Sequence, residues 1–311
     1  MLERCVVDPL FEAGWISFNE RQCGLTAENI EITSAKGNAW SLQTILYFDK
    51  NGRIAMPVRN SHLPVTFECS SLKPATIASA KTEAITQLAE KIKAGRPKAS
   101  LSFSPVIDDV RPFQWAGFDV VPRFTYLLQL DNWQEKADKR LLRHARRAKE
   151  QGYYCELTTD VELVQHCLGF SEERKGFSHS VSNENIHYLL DKMGEDKLLA
   201  SVCYSRDKVP VGARITICTP NNMAHAWSAG LNIEALRAGC NPLLFEFVTN
   251  ELLKRNCTSF DLVGANIPGV AKAKSAFGGE LTTYYSMERN TVRNIMKKSY
   301  QWLKSADRAL V

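Results

Sequence analysis

The chain has 311 residues, 44% hydrophobic and 23% charged, with Lys and Arg exceeding Asp and Glu by 39 to 34 for a formal charge of +5. This balance excludes a disordered chain, a collagen-like chain and a coiled-coil rod, and the length suits two units of roughly 100–200 residues each. A mild basic excess tolerates anionic partners without requiring nucleic acid, and nothing in it points to DNA.

From the N-terminus, Trp40 to Phe48, the turn Asp49-Lys50-Asn51-Gly52 and Arg53 to Val58 predict a hairpin, because Asn-Gly favours a tight turn between β-rich runs. Residues 74–94 switch to a helical period. Ile77, Ala80, Ala84, Ile85, Leu88 and Ile92 make one apolar stripe, stopped by Gly95-Arg96-Pro97. A β-rich run, Ala99 to Phe103, and a proline-marked loop complete a small mixed unit, residues 1–118.

The second unit, 119–290, opens with a strand at Phe124 to Leu130 and a basic helix from Trp133 to Gln151, with Gly152 placed for a C-cap. A strand at Tyr153 to Leu157, polar helices over 160–193 and three strands follow: Lys197 to Tyr204, Val209 to Cys218 and Met223 to Ser228. A loop from Gly230 to Asn241 leads into a helix over Pro242 to Arg255, a strand at Ser259 to Val263 and a last strand near Leu281 to Ser286. The order of elements predicts a mixed α/β (α+β) fold. Residues 291–311 carry a basic amphipathic pattern, which suits either docking on the domain or lying on a membrane surface.

The nine cysteines are scattered and include no Cys-x-x-Cys pair, which argues against a disulfide framework or a cysteine zinc site. No signal peptide or apolar run of about 20 residues is present, so the expected compartment is a reducing cytoplasm, with contact at the inner membrane face as an extension.

The order of the second half resembles the GNAT acyltransferase fold. The segment 261–280, with Lys274-Ser275-Ala276-Phe277-Gly278-Gly279, is similar to the C-terminal signature of FemABX transferases, as are Trp115-Ala116-Gly117-Phe118 and the Arg-rich helix ending at Gly152. Ala273 departs from the family, which often has an aromatic residue there. The resemblance implies a tandem GNAT-like architecture: a mixed, mostly antiparallel sheet flanked by helices, with a shortened first unit. It also implies transfer of an acyl group from acyl-CoA, acetyl-CoA among them, to an amine or hydroxyl of an anionic or phosphorylated cell-envelope or polysaccharide precursor. A charged tRNA is the alternative donor, and a non-catalytic binder of an anionic glycolipid or RNA is the alternative from another class. No metal is expected.

The site residues follow from that resemblance and from local chemistry. Lys274 is the expected electrostatic stabiliser, and Asp261 a residue to orient or deprotonate the nucleophile; a solvated lysine and a turn carboxylate are the structural alternatives. Arg237, Gly239 and Asn241 precede a helix whose N–H groups suit a donor pyrophosphate, although the same residues also read as a loop with Asn241 as N-cap. Lys272, Phe277, Trp227, Tyr284 and Tyr285 are expected around the substrate, with one tyrosine of the pair facing inward. Arg143 and Arg147 on the basic helix offer a docking face for phosphates.

Overall fold

The computed structural model describes residues 7–35, 39–176 and 181–289, so the helix expected at 291–311 lies outside the described residues. A single 3-10 turn, Pro9–Phe11, leads into α1 (Ala13–Cys23). Next come β1 (Thr26–Thr33), β2 (Trp40–Phe48), β3 (Ile54–Ala55) and β4 (Val65–Cys69). β2 is the centre of a small antiparallel sheet, flanked by β1 on one side and by β3 and β4 on the other. The hairpin forms at Asn51-Gly52 as expected, but its second strand is only β3, because Pro57 and the left-handed Arg59 carry the chain off the sheet. The helix α2 spans Pro74–Ala94, and its stripe of Ala84, Ile85, Leu88 and Ile92 is buried with Leu42, Leu46 and Tyr47 of β2.

The rest of the chain builds the large sheet: β5 (Leu101–Phe103), α3 (Arg111–Trp115), β6 (Phe118–Gln129), α4 (Trp133–Lys136), α5 (Lys139–Glu150), β7 (Tyr154–Leu157), α6 (Val161–Lys175), α7 (Asn183–Met193), β8 (Leu198–Tyr204), β9 (Pro210–Cys218), β10 (Met223–Leu231), α8 (Ile233–Ala238), α9 (Cys240–Lys254), β11 (Ser259–Asp261), α10 (Pro268–Ser275) and β12 (Glu280–Arg289). Eight strands run in the order β5-β12-β6-β11-β10-β9-β8-β7. Every neighbouring pair among these described strands is antiparallel except β10 with β11. The sheet is therefore mixed, mostly antiparallel and flanked by helices. Residues 101–103, read from sequence as part of the first unit, form its edge against β12.

Two local expectations need correction. The basic helix is broken: Ala137 is extended and Asp138 caps α5 by accepting from the Arg140 N–H, so α4 and α5 meet at a corner. The expected loop 230–241 contains α8, with Asn232 as its N-cap, and β10 continues to Leu231. Among the described residues no helix is long and apolar enough to cross a membrane.

Candidate active site

The one parallel pair creates the main cavity. β10 and β11 pair only from Met223 with Ser259 to His225 with Asp261. β11 then ends while β10 continues, and its register to β9 slips between Ala226 and Ser228, a bulge centred on Trp227. Beyond His225 the β11-facing edge of β10 has no strand partner among the described residues, and a cavity of about 560 Å³ opens there. Its walls come from β10, from α9 through Asn241 and Phe245, and from the segment 262–277. Trp227 lines it and packs edge-on against Trp15 and Phe18, with centroids 5.3 and 5.5 Å away. Phe277 lines it too, stacked on Phe245 at 3.7 Å.

The charged group in this cavity that sequence reading misses is Arg214 of β9. Its guanidinium donates to Asn241 Oδ1 at 3.3 Å and sits 5.7 Å from the Phe245 ring, while its Nε–H has no partner. Among the described residues it forms no ion pair, and burial pulls its pKa down to about 10 with nothing opposing the shift. An enclosed cation without a counter-ion is costly unless an anion joins it. A lone arginine in an alternating β run looks like a solvent-facing residue, so the sequence carries little signal for this role.

Lys274 also lines the cavity, and its ammonium donates to the Val263 carbonyl and, at 2.9 Å, to the Gly264 carbonyl. Val263 and Gly264 are both left-handed, with φ of 51° and 70°. A β-branched residue rarely takes that conformation, so this turn is strained and must be held. Asp261 helps to hold it, since its Oδ1 accepts from the Val263 N–H at 2.7 Å and also from the Thr125 hydroxyl. Asp261 does not reach the main cavity. It is buried on the other face of the sheet, beside a second cavity. The lining of the main cavity contains no carboxylate or imidazole among the described residues.

The other expected residues separate by location. Asn241 lies inside the first turn of α9 and holds Arg214, while the N-cap is Gly239, so Asn241 is not the cap. Gly239 has φ of 95°, and a Cβ there would lie 2.5 Å from the His144 carbonyl oxygen of α5. The close approach this glycine permits is therefore to α5. Arg237 is exposed in the last turn of α8, and Lys272 is exposed and outside the cavity lining. Tyr284 is buried 6.0 Å from the His62 ring, and burial raises its pKa; Tyr285 packs half-buried toward the first unit. Neither tyrosine lines the main cavity. Arg143 and Arg147 are exposed on α5, and no ion pair is formed there by Lys139, Arg140, Arg143, Arg146 or Arg147 among the described residues, whereas Lys149 meets Glu246 at 2.9 Å.

The family model of the acetyltransferase (GNAT) domain matches residues 135–272, the segment that contains the splayed strands. Over residues 135–272 the chain is therefore similar to GNAT acetyltransferase domains. Three solved structures share the fold of nearly the whole chain. FemX aligns with a TM-score of 0.63 at 12% identity, over 90% of this chain and 92% of that one. The C-terminal domain of a protein described as a putative lysylphosphatidylglycerol synthetase, from Agrobacterium fabrum, aligns at 0.57 and 14% identity, over 93% and 91%. L-PGS from Bacillus licheniformis aligns at 0.52 and 12% identity, over 90% and 88%. No curated protein matches the sequence.

Proposed function

We propose that the chain is an acyltransferase that moves an acyl group from an activated ester to an amine or hydroxyl of an anionic cell-envelope or polysaccharide precursor. The observation that carries this reading is Arg214, a half-buried cation with no counter-ion among the described residues, in the cavity where β10 and β11 part. An anionic group of donor or acceptor beside Arg214 would neutralise it and place the rest of the molecule along the edge of β10 that has no strand partner among the described residues. Backbone groups on such an edge can hold the reacting carbonyl and favour its developing oxyanion. With no side-chain base in the lining among the described residues, the attacking amine would have to enter neutral and lose its proton late, and the site would act by proximity. Lys274 adds positive charge at the far wall while keeping the 263–264 turn in shape.

Acyl-CoA is the first donor we propose. The N-terminal turn of α9 has no side-chain cap, and exposed Arg237 stands beside it, an arrangement suited to a pyrophosphate. The exposed cations of α5 favour a second donor, an aminoacyl ester of tRNA, and the shared fold of FemX supports keeping it. The cytoplasm, or its membrane face, is the compartment that fits either donor.

The deciding experiment supplies labelled acetyl-CoA, longer acyl-CoAs and charged tRNA separately, with a fractionated pool of lipid- and nucleotide-linked envelope precursors. Label moving from one donor class to a precursor, and reduced at sub-saturating substrate in Arg214→Met, is the expected result. No transfer from any donor, alongside tight binding of a glycolipid or RNA, would replace this reading with that of a non-catalytic binder.

A further inference from the structure

On the face of the sheet away from the main cavity, three residues distant in sequence converge. Asp8 comes from the 3-10 turn before α1, His62 from the loop before β4, and His225 from β10. All are buried, and one ligand atom from each lies within 4.8 Å of the others. His62 Nε2 is 2.9 Å from Asp8 Oδ2, and His225 Nε2 is 3.4 Å from Asp8 Oδ1. His225 Nε2 nevertheless has no hydrogen-bond partner, so a buried nitrogen points into the cluster unsatisfied.

Three further features suit a cation. Asp8 is held from behind by the Leu10 N–H, which donates to Oδ1 at 2.9 Å. His62 Nδ1 lies 3.1 Å from the Ser61 hydroxyl, whose oxygen can accept the Nδ1–H and so leave Nε2 with a free lone pair. Asp261 is close enough for its charge to act on both imidazoles, so two carboxylates would balance a dication with both histidines neutral. Beside the cluster lies a cavity of about 250 Å³ lined by Asp8, His62, Ser104, Thr125 and Asp261, and the Ser104 hydroxyl in it also has no partner.

We propose that Asp8, His62 and His225 bind a zinc-class divalent cation, with a fourth position left for water on the cavity side. Two imidazole nitrogens and one carboxylate oxygen are the donor set that zinc prefers over magnesium or calcium, which favour oxygen ligands throughout. The ion would bind His62 at an unprotonated Nε2, with the ring proton on Nδ1 bonded to Ser61. The ion would tie the N-terminal turn and the small-sheet unit to β10. This site is separate from the transfer cavity and does not depend on the acyltransferase reading.

The test uses the full-length protein stripped with a chelator and titrated with Zn²⁺ against a chromophoric competitor, and with Co²⁺ followed by visible absorption. One ion per chain is expected, with tetrahedral Co²⁺ bands that lack thiolate charge transfer. His225→Gln and His62→Gln should each weaken binding by about a hundredfold or more, and Ser61→Ala by about tenfold. Cys218→Ser with Cys257→Ser should leave it unchanged. Octahedral Co²⁺ bands, a thiolate band, absence of a one-to-one Zn²⁺ complex or full affinity in both histidine variants would overturn the proposal. The wild-type Co²⁺ spectrum decides even if a histidine variant fails to fold.

Discussion

Asp261 and Lys274 hold the same turn from opposite faces of the large sheet. Asp261 takes the Val263 N–H from the side of the second cavity, and Lys274 donates to the Val263 and Gly264 carbonyls from the side of the main one. This turn forms the wall of the main cavity where β11 stops, so the two residues shape the site jointly although only one lines it.

That arrangement separates a positioning carboxylate from a general base. Asp261→Asn keeps an oxygen for the Val263 N–H and should retain most activity. Asp261→Ala leaves buried donors without a partner and should cost about 1–3 kcal/mol in denaturant unfolding, with turnover reduced as well. Loss of turnover in Asp261→Asn at unchanged stability would instead mark it as a base.

Lys274→Met should lower turnover by about 10²–10³ and also reduce stability, because two charge-assisted hydrogen bonds to a strained turn disappear. A turnover profile and an unfolding curve on the same preparation check both parts. Wild-type turnover would remove Lys274 from the transfer site.

For Arg214 the expected signs are opposed. Arg214→Met removes a half-buried cation that lacks a counter-ion among the described residues, so stability should hold or rise. Substrate binding should weaken at least tenfold, read as a higher KM, and Arg214→Lys should restore it poorly because the planar fork is absent. Unchanged KM in Arg214→Met would refute an anion at this position.

The helix α5 distinguishes the donors. Replacing Arg143, Arg146 and Arg147 with Gln changes an exposed surface, so stability should stay within about 0.5 kcal/mol. If charged tRNA is bound there, affinity should fall and the salt slope should flatten by about 0.7–0.9 for each phosphate no longer neutralised. Unchanged tRNA binding would leave α5 as an ordinary solvated helix.

Much of this molecule is legible in the residues. The stripe of α2 is local and strictly periodic, and its expected bounds match those observed. The GNAT-like order of elements is also visible, as is the turn signature. The physical basis of that signature is close packing: Phe277 stacks on Phe245, and left-handed Gly278 meets the Lys136 backbone, where a Cβ would lie 2.6 Å away. The helix α8 escapes a reading that takes Gly230 and Gly239 as loop markers, although Asn232-Ile233-Glu234-Ala235 carries an N-cap signal. Trp227, Asn241, Phe277 and Lys274 meet in one cavity, while Asp261 and Tyr284 fall on the other face, a division set by strand alternation and sheet order. Asp8 and His62 carry no local signal, since only tertiary folding brings them to His225.

The central claim is that the donor occupies the space between β10 and β11, and thermal unfolding tests it most directly. Wild-type protein and Ala229→Trp, which fills that space, are unfolded with and without acetyl-CoA, longer acyl-CoAs, CoA and charged tRNA. A ligand that binds only the native state at a hundredfold excess over Kd adds roughly 2.7 kcal/mol. A clear rise with one donor class in the wild type and none in Ala229→Trp is the predicted result. An equal rise in both proteins, or no rise with any donor, would contradict it.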